Sequence, residues 1–163
     1  MKKDNIYIIS VIIFALDVIF KGLVKTHIHL QDKITVIPHF FDLVHVENEG
    51  AAFSILDGSK YILIVISIII MFLLLKYIRD LKKISNLEGI ALGLVLGGLL
   101  GNLLDRIVNS HVVDYLAFNF FGYHFPVFNL ADIAITVGVV LLLITTIIKE
   151  RKEKNDSRRD GRK

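Results

Sequence analysis

The sequence predicts an all-α membrane protein, in which four transmembrane helices carry a small extracytoplasmic β platform. Three observations lead there. Of the 163 residues, 54% are hydrophobic; the mean hydropathy is strongly positive; and the apolar residues fall into four runs, each near the roughly 20 residues that a hydrocarbon core requires. The chain has no cysteine, which removes disulfides, thiolate chemistry and Cys-type zinc or iron–sulfur sites. Its net charge of +3 does not point to nucleic acid, because the basic residues gather at the chain ends and in one short loop rather than along a folded face. Lipid headgroups suit them better.

The first span covers about Ile6 to Val24 and contains Asp17 and Lys21. It is not expected to be a cleavable leader, because its apolar run is long, lacks a small-residue cleavage site and precedes three more spans. In the following loop, Ile34 to Pro38 and Phe41 to Glu47 read as short strands, and Asn48-Glu49-Gly50 as the turn that ends the second. Tyr61 to Ile78 forms the second span, followed by the short loop Arg79 to Leu87 and a third span from Glu88 to Val108. The loop from Asn109 to Pro126 is crowded with aromatics, a composition suited to the headgroup boundary, and Gly122 breaks it as a hairpin would. Val127 to Ile148 makes the fourth span. The chain thus divides into one embedded domain, residues 1–148, and a basic tail, residues 149–163, whose charge and lack of apolar periodicity predict a fraying, disordered arm.

Four spans put both termini on one side. Lys2 and Lys3, the Lys76 to Lys83 cluster and the tail all fall on that side, which the positive-inside rule makes cytoplasmic. Both termini are therefore expected in the cytoplasm, with the two longer loops facing outward.

Charges inside spans are expensive, so each needs a reason. Asp17, Lys21, Asn102, Asp105, Arg106, Asn129 and Asp132 all lie toward the outward ends of their spans, concentrating nearly all the polarity at one depth. Gly89, Gly93, Gly97 and Gly101 recur every fourth residue on span three, a smooth stripe that admits a close neighbour, and Asp105 continues it. Beside it runs Gly98, Asn102, Arg106, which places the polar groups on a bundle-facing side. Asn129 and Asp132 share a face at the start of span four, where the helix N-terminus favours a carboxylate and apolar surroundings favour its neutral form. Asp114 lies just beyond span three, within reach. Two carboxyls in one site cannot both ionise cheaply, so one keeps a proton and the pair offers an acid and a base. Spacing alone leaves open a catalytic dyad or two separately capped aspartates.

Asp17 and Lys21, one turn apart, read as a mutual ion pair or as a brace for the site. His27, His29, His39 and His45 lack the companion ligands of a metal centre and read as exposed loop residues.

Five motifs then match a family. Asp17-x-x-x-Lys21, Asn48-x-Gly50-Ala51-Ala52-Phe53, Gly97-Gly98-x-x-Gly101-Asn102-x-x-Asp105-Arg106, Val113-Asp114-Tyr115 and Phe128-Asn129-x-Ala131-Asp132 occur in order on four spans, and the chain resembles lipoprotein signal peptidase, or signal peptidase II. The resemblance implies that Asp114 and Asp132 are catalytic aspartates of an intramembrane endopeptidase, with Asn48, Gly50, Asn102, Arg106, Asn129 and Ala131 lining or supporting the site and Asp17 and Lys21 nearby. It implies diacylglyceryl-modified prolipoproteins as substrates, cut just before the lipidated cysteine, with membrane lipids as neighbours, a monomeric enzyme and no metal or organic cofactor. Two other classes are weighed against it. A transporter predicts polar groups spread through the membrane depth or paired repeats, and an assembly factor explains the glycine stripe but not two aspartates near Asn129.

Overall fold

The computed structural model describes residues 1–50 and 60–160. Its elements are α1 (Lys3–His27), β1 (Lys33–Ile37), β2 (Phe41–Asn48), α2 (Lys60–Asp80), α3 (Asn86–Val108), β3 (Val112–Phe120), β4 (Tyr123–His124) and α4 (Leu130–Asp160). All four helices contain a stretch long and apolar enough to cross a membrane. The part of the second motif from Ala51 to Phe53 lies outside the described residues.

Helix α3 is the core of the bundle. In its most apolar stretch 67% of residues are buried, against 22% in α1 and α4 and 11% in α2, so the outer faces of those three are left to lipid. Its glycines explain the position. A Cβ on Gly97 would come within 2.7 Å of Ser10 O on α1, and one on Gly98 within 2.5 Å of Ala131 O on α4, so only glycine allows both neighbours to approach.

At one end of the bundle the strands form a single antiparallel sheet in the order β1-β2-β3-β4. The two strands expected before span two are present as β1 and β2. The aromatic segment forms the β3–β4 hairpin, whose two turn residues, Phe121 and Gly122, have φ of 51° and 91°, the positive values that a tight primed turn requires. Phe118 stacks on Phe41 at 4.7 Å and on Phe128 at 5.7 Å between ring centroids, tying three separate segments into one aromatic layer. His45 departs from the expectation of exposed loop histidines: it sits buried on β2, its Nδ1 2.9 Å from Ile28 O, which fastens the end of α1 to the sheet.

Helix α4 begins at Leu130, three residues later than expected, because Phe128 stays extended and pairs its backbone with Leu116 on β3. It also runs through Asp160, where the sequence predicted a disordered arm from residue 149. Lys, Arg and Glu dominate that stretch and lose little freedom in a helix, and the first breaker is Gly161.

The opposite end holds a polar cluster that departs from the expectation of polarity at one depth. Ser85 and Glu88 form a reciprocal capping box at the start of α3. Glu88, only 2% exposed, also meets Lys149 Nζ at 2.6 Å and accepts from Tyr77 Oη at 3.3 Å. The Met1 ammonium donates to Ile84 O at 2.6 Å, closing α1 onto the α2–α3 connection.

Candidate active site

Four backbone N–H groups at the start of α4 have no partner within the helix, and the way each is satisfied builds the site. Asn129 is the cap. Its N–H donates to Asp132 Oδ2 at 3.2 Å, while its Oδ1 accepts the Asp132 N–H at 3.0 Å, a reciprocal box made from Asn and Asp. Between them, Leu130 N–H donates to Tyr115 Oη at 3.2 Å and Ala131 N–H to Asp17 Oδ1 at 3.0 Å. Residues from α1, β3 and α4 therefore meet at one helix N-terminus, whose dipole favours the acids gathered there.

Asp114 stands on β3, on a strand rather than in the loop the sequence suggested, opposite Val46 of β2. Its two oxygens each receive one amide, Asn129 Nδ2 at 2.7 Å and Asn48 Nδ2 at 2.8 Å. Asp132 likewise receives Asn102 Nδ2 at 2.8 Å on Oδ1, in addition to the backbone bond on Oδ2. Asn129 thus bonds both aspartates.

Both acids line one cavity of about 560 Å³, together with Asn48, Asn102 and Arg106; Phe125, Ile135 and Val137 are among the residues on its apolar wall. A few converging polar groups in an apolar pocket are the usual form of a ligand site. Burial pushes the Asp114 carboxyl up to about 7, against the lowering effect of the Asn48 and Asn129 bonds, and the charge of Asp132 raises it further. At neutral pH one carboxyl can hold a proton while its neighbour is ionised, the combination that activates water and protonates a leaving group.

Behind the acids lies an ionic layer. Lys21 and Asp17 pair at 2.7 Å, as their spacing suggested, and Lys21 also meets Asp105 of α3 at 3.0 Å and donates to Asn102 Oδ1 at 2.9 Å. Arg106 donates to Gly50 O at 3.1 Å, and Gly50 N–H to Asn48 Oδ1 at 3.0 Å, so α3 holds the end of β2 in place. All ten residues singled out from the sequence thus come together. Two further contributors are Tyr115 and Asp105. Asp105 accepts from Val113 N–H at 3.2 Å and joins α3 to β3, a role its place on the glycine stripe indicated only as a helix contact.

The model for the family described as signal peptidase (SPase) II matches residues 9–148. The lipoprotein signal peptidase of Symbiobacterium thermophilum is 39% identical over 145 residues, which cover 89% of this chain and 95% of that protein. Among solved structures, one described as a bacterial membrane enzyme determined by the in meso method at 2.3 Å resolution superimposes with a TM-score of 0.84 at 34% identity, over 93% of this chain and 92% of the other. A second, at 1.9 Å, gives 0.79 at 34% identity, over 88% and 92%.

Proposed function

The chain belongs to the signal peptidase II family, and from that premise we propose that it is a membrane peptidase of the aspartic type, removing signal peptides from prolipoproteins with Asp114 and Asp132 as the reacting pair. Family membership displaces the transporter and assembly-factor readings. The observation that carries the aspartic assignment is the convergence of the two acids, from β3 and α4, on one cavity and on one amide, Asn129.

The substrate carries a diacylglyceryl group on the cysteine just after the scissile bond, with its acyl chains remaining in the bilayer. The ionised aspartate takes a proton from water as the oxygen attacks the carbonyl carbon. The protonated aspartate gives its hydrogen to the carbonyl oxygen, and a tetrahedral diol forms. The diol collapses, the C–N bond breaks, and a proton passes to the departing nitrogen. Arg106, whose buried Nε has no partner among the described residues, and Asn102 stand on the cavity wall and supply donors to the substrate or to the new oxygens.

Charge distribution supports an orientation with both termini and the basic tail, residues 149–163, in the cytoplasm and the sheet at the outer face. The same reading takes the enzyme to be a monomer in contact with membrane lipids. The test is cleavage of a lipid-modified precursor by purified Asp114→Asn and Asp132→Asn variants. Each is expected to insert and fold yet lose turnover; retained turnover in either removes the aspartic assignment.

A further inference from the structure

We propose that Lys21 is a positioning residue that sets the hydrogen-bond polarity of the acid pair by fixing the amide of Asn102. The inference rests on Asp114 and Asp132 being the reacting acids.

Three asparagine side chains bond the two carboxyls, and each presents its NH2 rather than its oxygen. Two of them are oriented by main chain: Asn129 Oδ1 takes the Asp132 N–H and Asn48 Oδ1 takes the Gly50 N–H. A backbone N–H has no choice of role, so those amides cannot turn over without setting donor against donor. Asn102 differs, because among the described residues no backbone N–H bonds its oxygen. Its Oδ1 accepts from Lys21 Nζ at 2.9 Å and Asn129 Nδ2 at 3.2 Å, which leaves its NH2 to donate to Asp132 Oδ1 at 2.8 Å. Among the described residues, Lys21 is the charged donor to that oxygen.

The lysine itself has no freedom. It is 3% exposed, and its ammonium lies at ion-pair distance from Asp17 Oδ2 and Asp105 Oδ2 while donating to Asn102 Oδ1. Both carboxylates are pinned in turn by main chain, Asp17 by Ala131 N–H and Asp105 by Val113 N–H. A turned Asn102 would set its NH2 against an ammonium and its oxygen against a carboxylate. With Lys21 gone, the opposition to that conformer among the described residues falls to the longer bond from Asn129 Nδ2, at 3.2 Å, and the turned amide accepts a hydrogen from a protonated Asp132 instead of donating to an ionised one. Lys21 therefore holds Asp132 as an acceptor. The charged groups around this amide are Asp17 and Lys21 on α1, Asp105 and Arg106 on α3, Asp114 on β3 and Asp132 on α4.

The test measures kcat, KM and melting temperature against pH for the full chain, Lys21→Met, Asn102→Leu and the double variant, using a lipid-modified precursor. Lys21→Met is expected to move the acidic limb of the kcat profile upward by about one unit and to lower kcat near neutrality by about tenfold, with KM little changed. In the Asn102→Leu background the same substitution is expected to move the limb no further. A limb that stays in place while only the melting temperature falls, or an equal shift without Asn102, overturns the proposal. Where Lys21→Met does not fold, Lys21→Met with Asp105→Asn removes one anion with the cation and is read in the same way. Cleavage retained by Asp114→Asn or Asp132→Asn refutes the underlying dyad instead; loss of cleavage in those variants with an unmoved Lys21→Met limb refutes the positioning role alone.

Discussion

Asn129 and Asp132 hold each other at both ends, the backbone N–H of each donating to the side chain of the other at 3.2 and 3.0 Å, so the residue that caps α4 also fixes one of the two acids proposed to react. Helix initiation and site assembly are one event in this fold. The amide left over from capping reaches Asp114 at 2.7 Å, so the same residue couples the two acids.

Separating those roles is possible at Asn129. Ser retains a capping oxygen but has no amide to offer Asp114. Asn129→Ala is expected to lose about 1 kcal/mol of stability and most cleavage. Asn129→Ser should recover most of the stability and none of the activity, as read by thermal unfolding and precursor turnover.

The raised Asp114 carboxyl predicts two pH effects. Because it titrates near 7, the basic limb of kcat/KM is expected near pH 7, as an apparent value belonging to the pair. For stability, a group whose folded value lies above its ordinary 3.8 favours the fold when protonated. That contribution is complete below pH 3.8 and disappears as pH rises to about 7. Wild-type melting temperature should therefore fall over that window relative to Asp114→Asn, which has no such proton to lose.

Close approach of α3 and α4 is testable at Gly98. Its Cβ would stand 2.5 Å from Ala131 O, in the first turn that carries Asp132. Gly98→Ala is expected to reduce cleavage about a hundredfold, as a displacement near 1 Å does to a positioned site. Gly22→Ala, whose Cβ meets nothing within 4 Å, should leave turnover unchanged.

The Glu88 cluster at the far end provides a contrast. Glu88→Ala removes the buried partner of Lys149 and Tyr77 and half of a capping box. A loss of about 1 to 2 kcal/mol in stability is expected, with the pH profile of cleavage unmoved, as measured by thermal unfolding beside kinetics.

Helices were legible because membrane crossing leaves a long apolar signature, and the site because charge within such stretches is costly enough to be placed with purpose. Asp17, Lys21 and Asp105 could be read as helix neighbours from a spacing of four. Asp114 and Asp132 could be read as two acids within reach of each other, but not the contacts that bring them together, since these depend on β3 pairing with β2 and on Phe128 bridging to Leu116, segments that share no local pattern. The burial of His45 was hidden for the same reason. Glu88 was missed although Ser85 three residues earlier announces a capping box, because its partners on α2 and α4 are remote in sequence. Continuation of α4 to Asp160 was obscured by charge, which suggests solvent but does not oppose a helix.

The central claim is that Asp114 and Asp132 act as one unit. Single-turnover cleavage of a lipid-modified precursor by Asp114→Asn, Asp132→Asn and the double variant tests it most directly. Each single change is expected to slow the step by about a thousandfold or more, and the double change to slow it no further than the worse single one. Losses that multiply, or substantial turnover in either single variant, contradict the account.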